Sequence, residues 1–144
     1  KDLQGGVDYI GVTVVFYCHD GKGNFLMHKR SKNCRDEIGA WDVGGGALEF
    51  GETFEEAVRR EIREEYCCEP EQLKLIGTYN ILRKNKGKKT HWIGILFGAR
   101  VDPKKAKIGE PEYMDEIGWF NKNSLPAPLH SNFMTILKIL DKPE

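Results

Sequence analysis

The sequence lacks a hydrophobic run long enough to cross a membrane as a helix. Charged residues interrupt every apolar segment of the 144-residue chain, whereas a membrane-spanning helix needs roughly twenty consecutive apolar residues. The first eight residues carry charge and two glycines but no apolar stretch, so they do not resemble a signal peptide. We therefore expect a protein that stays in the cytoplasm and does not contact a membrane.

Cysteine is scarce, and its spacing excludes the common zinc sites. The four cysteines contain no C-x-x-C pair and no spaced Cys/His set; they are Cys18, Cys34, Cys67 and Cys68. A disulfide between the neighbours Cys67 and Cys68 would strain the backbone. We expect all four to be reduced thiols, as is usual in the cytoplasm.

The chain also lacks a net charge. Lys and Arg together number 22, and Asp and Glu together number 22, so no overall positive field is available to hold a polyanion. This balance argues against polymeric nucleic acid as a ligand and leaves a small molecule as the expected partner. The sequence does not decide whether the chain forms a homodimer.

Short β-branched and aromatic runs between turn residues predict strands on both sides of a central helix. These strands cover residues 9–18, 25–29, 73–82, 90–101 and 116–120, and a last helix covers residues 128–140. The length suits one domain, which we place over residues 1–144. The order of the elements predicts an α/β fold in which a mixed sheet packs between helices.

The central helix carries acids where an apolar stripe is expected. Thr53 and Glu56 form a capping-box pair that starts the helix, which runs to about Tyr66. At 100° per residue, Glu61 and Glu65 fall inside the stripe, and Glu64 falls at its edge. The apolar members of this stripe are Phe54, Ala57, Val58 and Ile62.

Carboxylates in such a stripe need compensation. Burying an unpaired carboxylate costs several kcal/mol, and two acids one helical turn apart repel each other. A divalent cation would reverse both effects. Oxygen ligands with room for water suit Mg²⁺, with Mn²⁺ as the alternative, rather than zinc. On helix geometry alone, the alternative that these acids form an ordinary solvated face without a metal remains open.

A glycine run precedes the helix at a fixed distance. Gly44, Gly45 and Gly46 predict a loop whose backbone can approach a ligand closely. Five residues separate Gly46 from Glu52, and seven more separate Glu52 from the segment Arg60-Glu61-Ile62-Arg63-Glu64-Glu65.

Over residues 46–68 this pattern resembles the Nudix box. The resemblance implies a Nudix-type mixed β-sheet sandwiched between α-helices, with the box folded as loop, helix and loop. It also implies that four residues form the metal site, namely Gly45, Glu61, Glu64 and Glu65. Glu52 and Arg60 match the pair that locks the loop to the helix.

Two positions depart from the family pattern. Gly44 stands where the family often has proline, and this replacement by glycine loosens the start of the glycine loop. Cys67 stands where the family has a glycine that commonly ends the helix in a left-handed conformation, so we expect the turn after Tyr66 to be altered or strained. Neither change removes a metal ligand.

The resemblance implies attack of water on a phosphorus of a diphosphate bridge, with metal neutralising charge on the phosphoryl oxygens. Glu61, Glu64 or an acid of the 102–115 loop could serve as the general base. That region offers Glu110, Glu112, Asp115 and Glu116, of which we favour Glu112. The resemblance further implies that Arg30, Gly45 and Gly46 contact the substrate, although Arg30 could equally be a solvated strand-end residue.

The substrate expected from the MutT-like context is a nucleoside triphosphate, normal or oxidised, cleaved to monophosphate and pyrophosphate. Hydrolysis of ADP-ribose or another nucleoside diphosphate sugar is the alternative within the same chemistry. A catalytically silent module that senses a nucleotide is the alternative outside it. Three tryptophans could stack a base or belong to the core: Trp41, Trp92 and Trp119.

Overall fold

The computed structural model describes residues 2–142, except for the side chain of residue 85; Lys1, Pro143 and Glu144 of the predicted domain lie outside the described residues. The strands are β1 (Gly11–His19), β2 (Asn24–Arg30), β3 (Trp41–Asp42), β4 (Gly44–Ala47), β5 (Gln72–Asn85), β6 (Lys88–Arg100) and β7 (Met114–Asn121). The helices are α1 (Phe54–Tyr66) and α2 (Ser131–Leu140).

All seven strands belong to one mixed sheet, as predicted. Its main path runs in the order β3-β2-β1-β6-β5, while β4 pairs with β1 and β7 pairs with β2. The β1 and β6 strands are parallel, from the pair Gly11↔Trp92 to the pair His19↔Arg100. The other strand pairs are antiparallel. The fold is therefore α/β.

The two helices cover opposite faces of the sheet. Because side chains alternate along a strand, Val14 and Phe16 of β1 pack in the cluster that contains Ile62 of α1. Val15 packs in a second cluster with Ile136 of α2. The predicted arrangement of a sheet between helices is confirmed.

The boundaries of α1 match the prediction, whereas the boundaries of α2, β5 and β6 differ from it. Thr53 caps α1 and forms the full capping box with Glu56. The α2 helix begins at Ser131 rather than at residue 128, because His130 has an extended backbone and caps the helix by accepting from the N–H of Asn132. The β5 and β6 strands extend to a two-residue turn at Lys86 and Gly87, both with positive φ.

Neither helix among the described residues has the length and apolar character needed to span a bilayer. All four cysteines are free thiols, in agreement with the expectation that none forms a disulfide.

Candidate active site

The glycine run is a strand rather than the predicted loop. Residues Gly44–Ala47 form β4 and pair with β1. A Cβ at Gly44 would lie 2.2 Å from the ring of Phe16, and a Cβ at Gly46 would lie 2.2 Å from a carboxylate oxygen of Glu61. Glycine is thus required here because the strand lies directly against side chains of β1 and α1. The sequence predicted a loop whose backbone approaches a ligand, whereas the structure shows a strand whose backbone approaches side chains of the protein itself.

Glu65 is the buried member of an acidic cluster beside this strand. Its side chain lies at the α1 face that packs on the sheet, and its Oε2 accepts a hydrogen bond of 3.2 Å from the N–H of Gly45. Burial raises the pKa of Glu65 well above its usual value, and the charge of Glu61 raises it further. Phe54, predicted for the same stripe, is instead exposed at the start of the helix.

Glu61 and Glu64 complete the acidic face of α1. The Glu61 side chain is 12% exposed and that of Glu64 is 49% exposed. Burial raises the pKa of Glu61, and the neighbouring charge of Glu64 adds to this, while Arg60 opposes it. The structure therefore brings together the three acids that the sequence singled out, with a gradient from buried to exposed.

Arg60 connects this cluster to the segment before the helix. Its guanidinium donates to both carboxylate oxygens of Glu52, at 2.7 and 2.9 Å, and to Glu61 at 2.7 Å. The hydrogen bonds from Arg60 lower the pKa of Glu52 to about 2. A two-point contact of this kind fixes orientation as well as charge. Glu52 and Arg60 thus form the ion pair that the sequence implied.

The segment after β6 folds against the C-terminal end of α1. The N–H groups of Lys107 and Gly109 donate to the last carbonyls of the helix, on Tyr66 and Glu65, at 2.9 and 2.8 Å. A Cβ at Gly109 would lie 2.0 Å from the carbonyl oxygen of Glu64. Helix-end carbonyls need such donors, and this contact fixes the position of the residues that follow.

Glu110 is the loop acid that reaches the cluster. It lines a cavity together with Glu65 and Gly45, and burial, then Glu61 and Glu64, raise its pKa. Glu112, which the sequence favoured, has an exposed side chain. Its carbonyl oxygen accepts hydrogen bonds from side chains of the 31–39 segment at 2.5 and 2.8 Å. Its place beside Glu65 and Gly45 favours Glu110 over Glu112 as the loop acid of the site. The sequence alone could not rank the acids of one loop.

Cys67 ends α1 in the left-handed conformation, with φ 59° and ψ 29°. The chain therefore keeps the family turn although a Cβ is present, and its N–H still donates to the carbonyl of Arg63. The expectation of an altered turn is wrong for the path of the chain. Non-glycine residues in this region are disfavoured by about 1–2 kcal/mol.

A cavity of about 760 Å³ lies beside the acidic cluster. It reaches Gly45 and Glu65 at the cluster and Arg30 at the end of β2. The Arg30 guanidinium already donates to the carbonyl and carboxylate of Asp36, at 2.9 to 3.1 Å. Arg30 therefore orders the segment after β2 while it lines the cavity.

Buried titratable residues that the sequence analysis missed also line this cavity: His28, Asp42 and His130. His28 and Asp42 are directly paired across β2 and β3. The hydroxyl of Tyr66 lies 2.6 Å from Nδ1 of His28, and burial lowers the pKa of His28 to about 4. No local sequence pattern singles out these three residues, although Asp42 lies two residues before Gly44.

Of the three tryptophans, Trp92 lines this cavity, where its indole packs over Gly6 and Gly11. Trp41 is buried and contacts Phe120 edge to face. Trp41 is therefore a core residue.

The sequence is similar to known proteins along most of its length. The family model for the NUDIX domain matches residues 9–138. Human 8-oxo-dGDP phosphatase NUDT18 is 31% identical over 112 residues, which cover 74% of this chain and 31% of that protein. The ADP-ribose pyrophosphatase of Methanocaldococcus jannaschii is 36% identical over 101 residues, covering 70% of this chain and 56% of that protein. The chain thus spans about a third to a half of these relatives.

The structure is similar to a solved MutT NUDIX hydrolase from Burkholderia pseudomallei. The TM-score is 0.78 at 27% sequence identity, with 90% of this chain and 97% of that chain covered. A MutT protein from Methanosarcina mazei Go1 gives a TM-score of 0.64, also at 27% identity, with 92% and 96% covered.

Proposed function

We propose, from the premise that this chain belongs to the NUDIX domain family, that it hydrolyses a pyrophosphate bond in a small nucleotide. The preferred substrate we propose is a nucleoside triphosphate, normal or oxidised, cleaved to the monophosphate and pyrophosphate. One observation carries the proposal. Glu65 of α1 lies against the glycine strand on the wall of a cavity large enough for a nucleotide, and Glu110, in the loop after β6, lines a second cavity that shares Glu65 and Gly45.

The donor set fits Mg²⁺, or Mn²⁺ in its place. Glu61, Glu64 and Glu65 supply oxygens only, and the strand at Gly45 adds a carbonyl, which are the ligand types that these ions prefer. A buried carboxyl whose pKa is raised by its surroundings, as for Glu65, is stabilised when a cation is bound. The ion would neutralise charge on the diphosphate oxygens during hydrolysis.

The residues of the chain would then position the water and its proton. Glu110 is the base that we favour, because it lines a cavity together with Glu65 and Gly45, where its carboxylate could accept a proton from the attacking water. Glu61 and Glu64 remain candidates for this role, and Glu112 becomes the weaker choice. Arg60 holds Glu61 in place through its hydrogen bond of 2.7 Å.

The remaining substrate contacts follow from the cavity. The backbone of Gly45 and Gly46 offers close approach to phosphate oxygens, and Arg30 supplies positive charge at the cavity wall. Partial pairing of Arg30 with Asp36 directs the guanidinium rather than removing its charge. The oligomeric state, including a homodimer, does not enter this mechanism.

ADP-ribose is the second candidate substrate, because the Methanocaldococcus jannaschii relative is named an ADP-ribose pyrophosphatase. The human relative is named an 8-oxo-dGDP phosphatase, which supports a nucleotide without a sugar beyond the diphosphate. The substrates in both names contain a nucleoside diphosphate unit. A silent sensing module is disfavoured, since a binder would not need a buried acid beside two others.

A hydrolysis panel tests the proposal. Nucleoside triphosphates, oxidised purine triphosphates and ADP-ribose are incubated with Mg²⁺, and the products are separated to identify the broken bond. We expect pyrophosphate release from a triphosphate, faster than ADP-ribose cleavage. ADP-ribose cleaved faster by tenfold would establish the second candidate, and no cleavage of any compound would overturn the proposed activity.

A further inference from the structure

Asp42 is a buried carboxylate that the proposed reaction does not use. It lies in β3, directly before the strand that carries Gly45, and only 8% of the residue is exposed. Its side chain lines the same 760 Å³ cavity that reaches the acidic cluster. Burial raises the pKa of Asp42, so its charged form is under-compensated by the protein.

The hydrogen bonds of Asp42 leave one oxygen without a donor. Oδ1 accepts from the N–H of Val43 at 2.8 Å. Nδ1 of His130 lies 3.5 Å from Oδ2. That nitrogen accepts the N–H of Asn132 at 3.0 Å, and the opposite Nε2 lies 2.8 Å from Glu37.

This arrangement assigns the ring proton of His130 to Nε2. Nδ1 accepts the N–H of Asn132 and so carries no proton, while Nε2 carries the ring proton and donates it in a hydrogen bond to Glu37. His130 therefore has no proton at Nδ1 to donate to Asp42. Within residues 2–142, no protein group donates a hydrogen bond to Oδ2 of Asp42, and no fully buried side-chain oxygen is left without a partner, so Oδ2 is open to the cavity that Asp42 lines.

The neighbouring acids differ from Asp42 because they are already satisfied. Asp36 and Glu37 lie with His130 in a group close enough to hold a cation. However, Arg30 donates to Asp36, and both the N–H and hydroxyl of Ser131 donate to Glu37 at 3.0 and 2.9 Å. A second cation would have to displace these donors. Asp42 is thus the acid of this wall that is best suited to receive a ligand.

We propose that Asp42 is the specificity-determining acceptor for the base of the substrate, and that it selects purines with adjacent ring N–H and amino groups, as in guanine. This inference rests on the proposed function and names the substrate class. The two oxygens of a carboxylate match two parallel N–H donors, and Oδ1 has a second lone pair beyond the one used by Val43.

Other bases fit this acceptor less well. Hypoxanthine keeps the ring N–H but lacks the amino group, so it makes one hydrogen bond fewer. Adenine presents an amino group beside a ring nitrogen acceptor, which a carboxylate oxygen repels. A site that leaves a buried polar group unpaired discriminates strongly against the ligand that fails to satisfy it.

The test compares bases on the product monophosphates, so that it does not depend on hydrolysis. Binding of guanosine, inosine and adenosine monophosphate to the full chain is measured by calorimetry in the presence of Mg²⁺, for the wild type and for Asp42→Asn. We expect the wild type to bind guanosine monophosphate about tenfold or more tightly than the other two. Asp42→Asn, whose amide offers one acceptor and one donor, should lose this preference and favour adenosine.

Asp36→Asn is the matched control, because the same change is made on the same cavity at an acid already paired with Arg30. It should leave the order of the three bases unchanged. Equal binding of the three nucleotides by the wild type, or an unchanged preference in Asp42→Asn, would overturn the inference. A clear base preference in a protein that hydrolyses nothing would instead overturn the proposed function and leave the role of Asp42 standing.

Discussion

Glu65 combines burial with a charge that the apo protein compensates poorly. Its Oε2 has a single hydrogen bond to the backbone, at 3.2 Å, and its pKa is raised by burial and by Glu61. A raised pKa in the folded state means that stability is lost as the pH rises above the unfolded value near 4.5. At neutral pH the apo fold therefore bears a cost that a bound cation would remove.

Glu65→Gln separates the contribution of this residue to function from its contribution to folding. The amide keeps the shape but removes the charge, so turnover should fall by about 10²–10³-fold and the dependence of turnover on Mg²⁺ should weaken. The melting temperature without metal should stay equal or rise at pH 8. Turnover and melting are titrated with Mg²⁺ in parallel. Glu55→Gln, an exposed change on the same helix, is the control; wild-type rates in Glu65→Gln would contradict the metal assignment.

Cys67 has a left-handed backbone conformation, which is strained for a residue that carries a Cβ. Its left-handed backbone is easier for glycine, whereas glycine also gains freedom in the unfolded chain. On balance, Cys67→Gly should raise the free energy of unfolding by about 0.5–1 kcal/mol. Chemical denaturation measures the difference. Cys67→Ala removes the thiol but keeps the strain, so an equal gain in that variant would rule out backbone conformation as the cause.

At the scale of elements, the segment from Asp102 to Tyr113 acts as a cap for α1. Its N–H groups satisfy the carbonyls of Tyr66 and Glu65, and the same contact carries Glu110 to the acidic face. The stability of the helix end and the placement of the loop acid therefore depend on one close approach, at Gly109.

Gly109→Ala should disrupt both properties together. The added methyl would lie 2.0 Å from a backbone oxygen, and backbone cannot move aside as a side chain can, so the loop must shift. We expect a lower melting temperature and a loss of turnover of about tenfold to a hundredfold, since small displacements of catalytic groups have effects of this size. Gly77→Ala, where a Cβ meets no atom within 4 Å, is the control. Equal effects of the two substitutions would count against the close contact as the cause.

The elements also differ in how well the sequence predicted them. The α1 helix was predictable to the residue because its cap and its periodicity are local signals, and the acids of the site lie on it. The glycine strand β4 could not be predicted from local sequence. Side chains are excluded from it by Phe16 and Glu61, which are distant in sequence and approach it only in the folded protein. Asp42 and His28 likewise became visible only through their pairing across β2 and β3, which no local pattern encodes.

At the scale of the whole molecule, the dependence of stability on pH should carry a contribution from His28. Its pKa is about 4 in the fold, against 6.5 for the free side chain. Between these values the unfolded chain binds more protons, so the free energy of unfolding rises with pH up to about 6.5. His28 should therefore contribute a loss of up to about 3 kcal/mol as the pH falls from 7 to 4.

His28→Gln isolates this contribution, because an amide does not titrate. The buried acids Glu65 and Asp42, whose pKa values are raised, act in the opposite direction in both proteins and cancel in the comparison. Unfolding by denaturant is measured from pH 4 to pH 8 for the two proteins. The wild type should lose more stability than His28→Gln on acidification, and parallel curves would contradict a neutral, buried His28.

The parallel pairing of β1 with β6 has a consequence for the order of folding. The β5–β6 hairpin closes through a two-residue turn and can form from local contacts alone. In contrast, β1 must close a loop of more than seventy residues to meet β6, and such closure is slow because its entropy is lost before the contacts form. During synthesis β1 is therefore made well before β6, so the edge of β1 that pairs with β6 stays unpaired until β2, β3, β4, α1 and β5 have all been made.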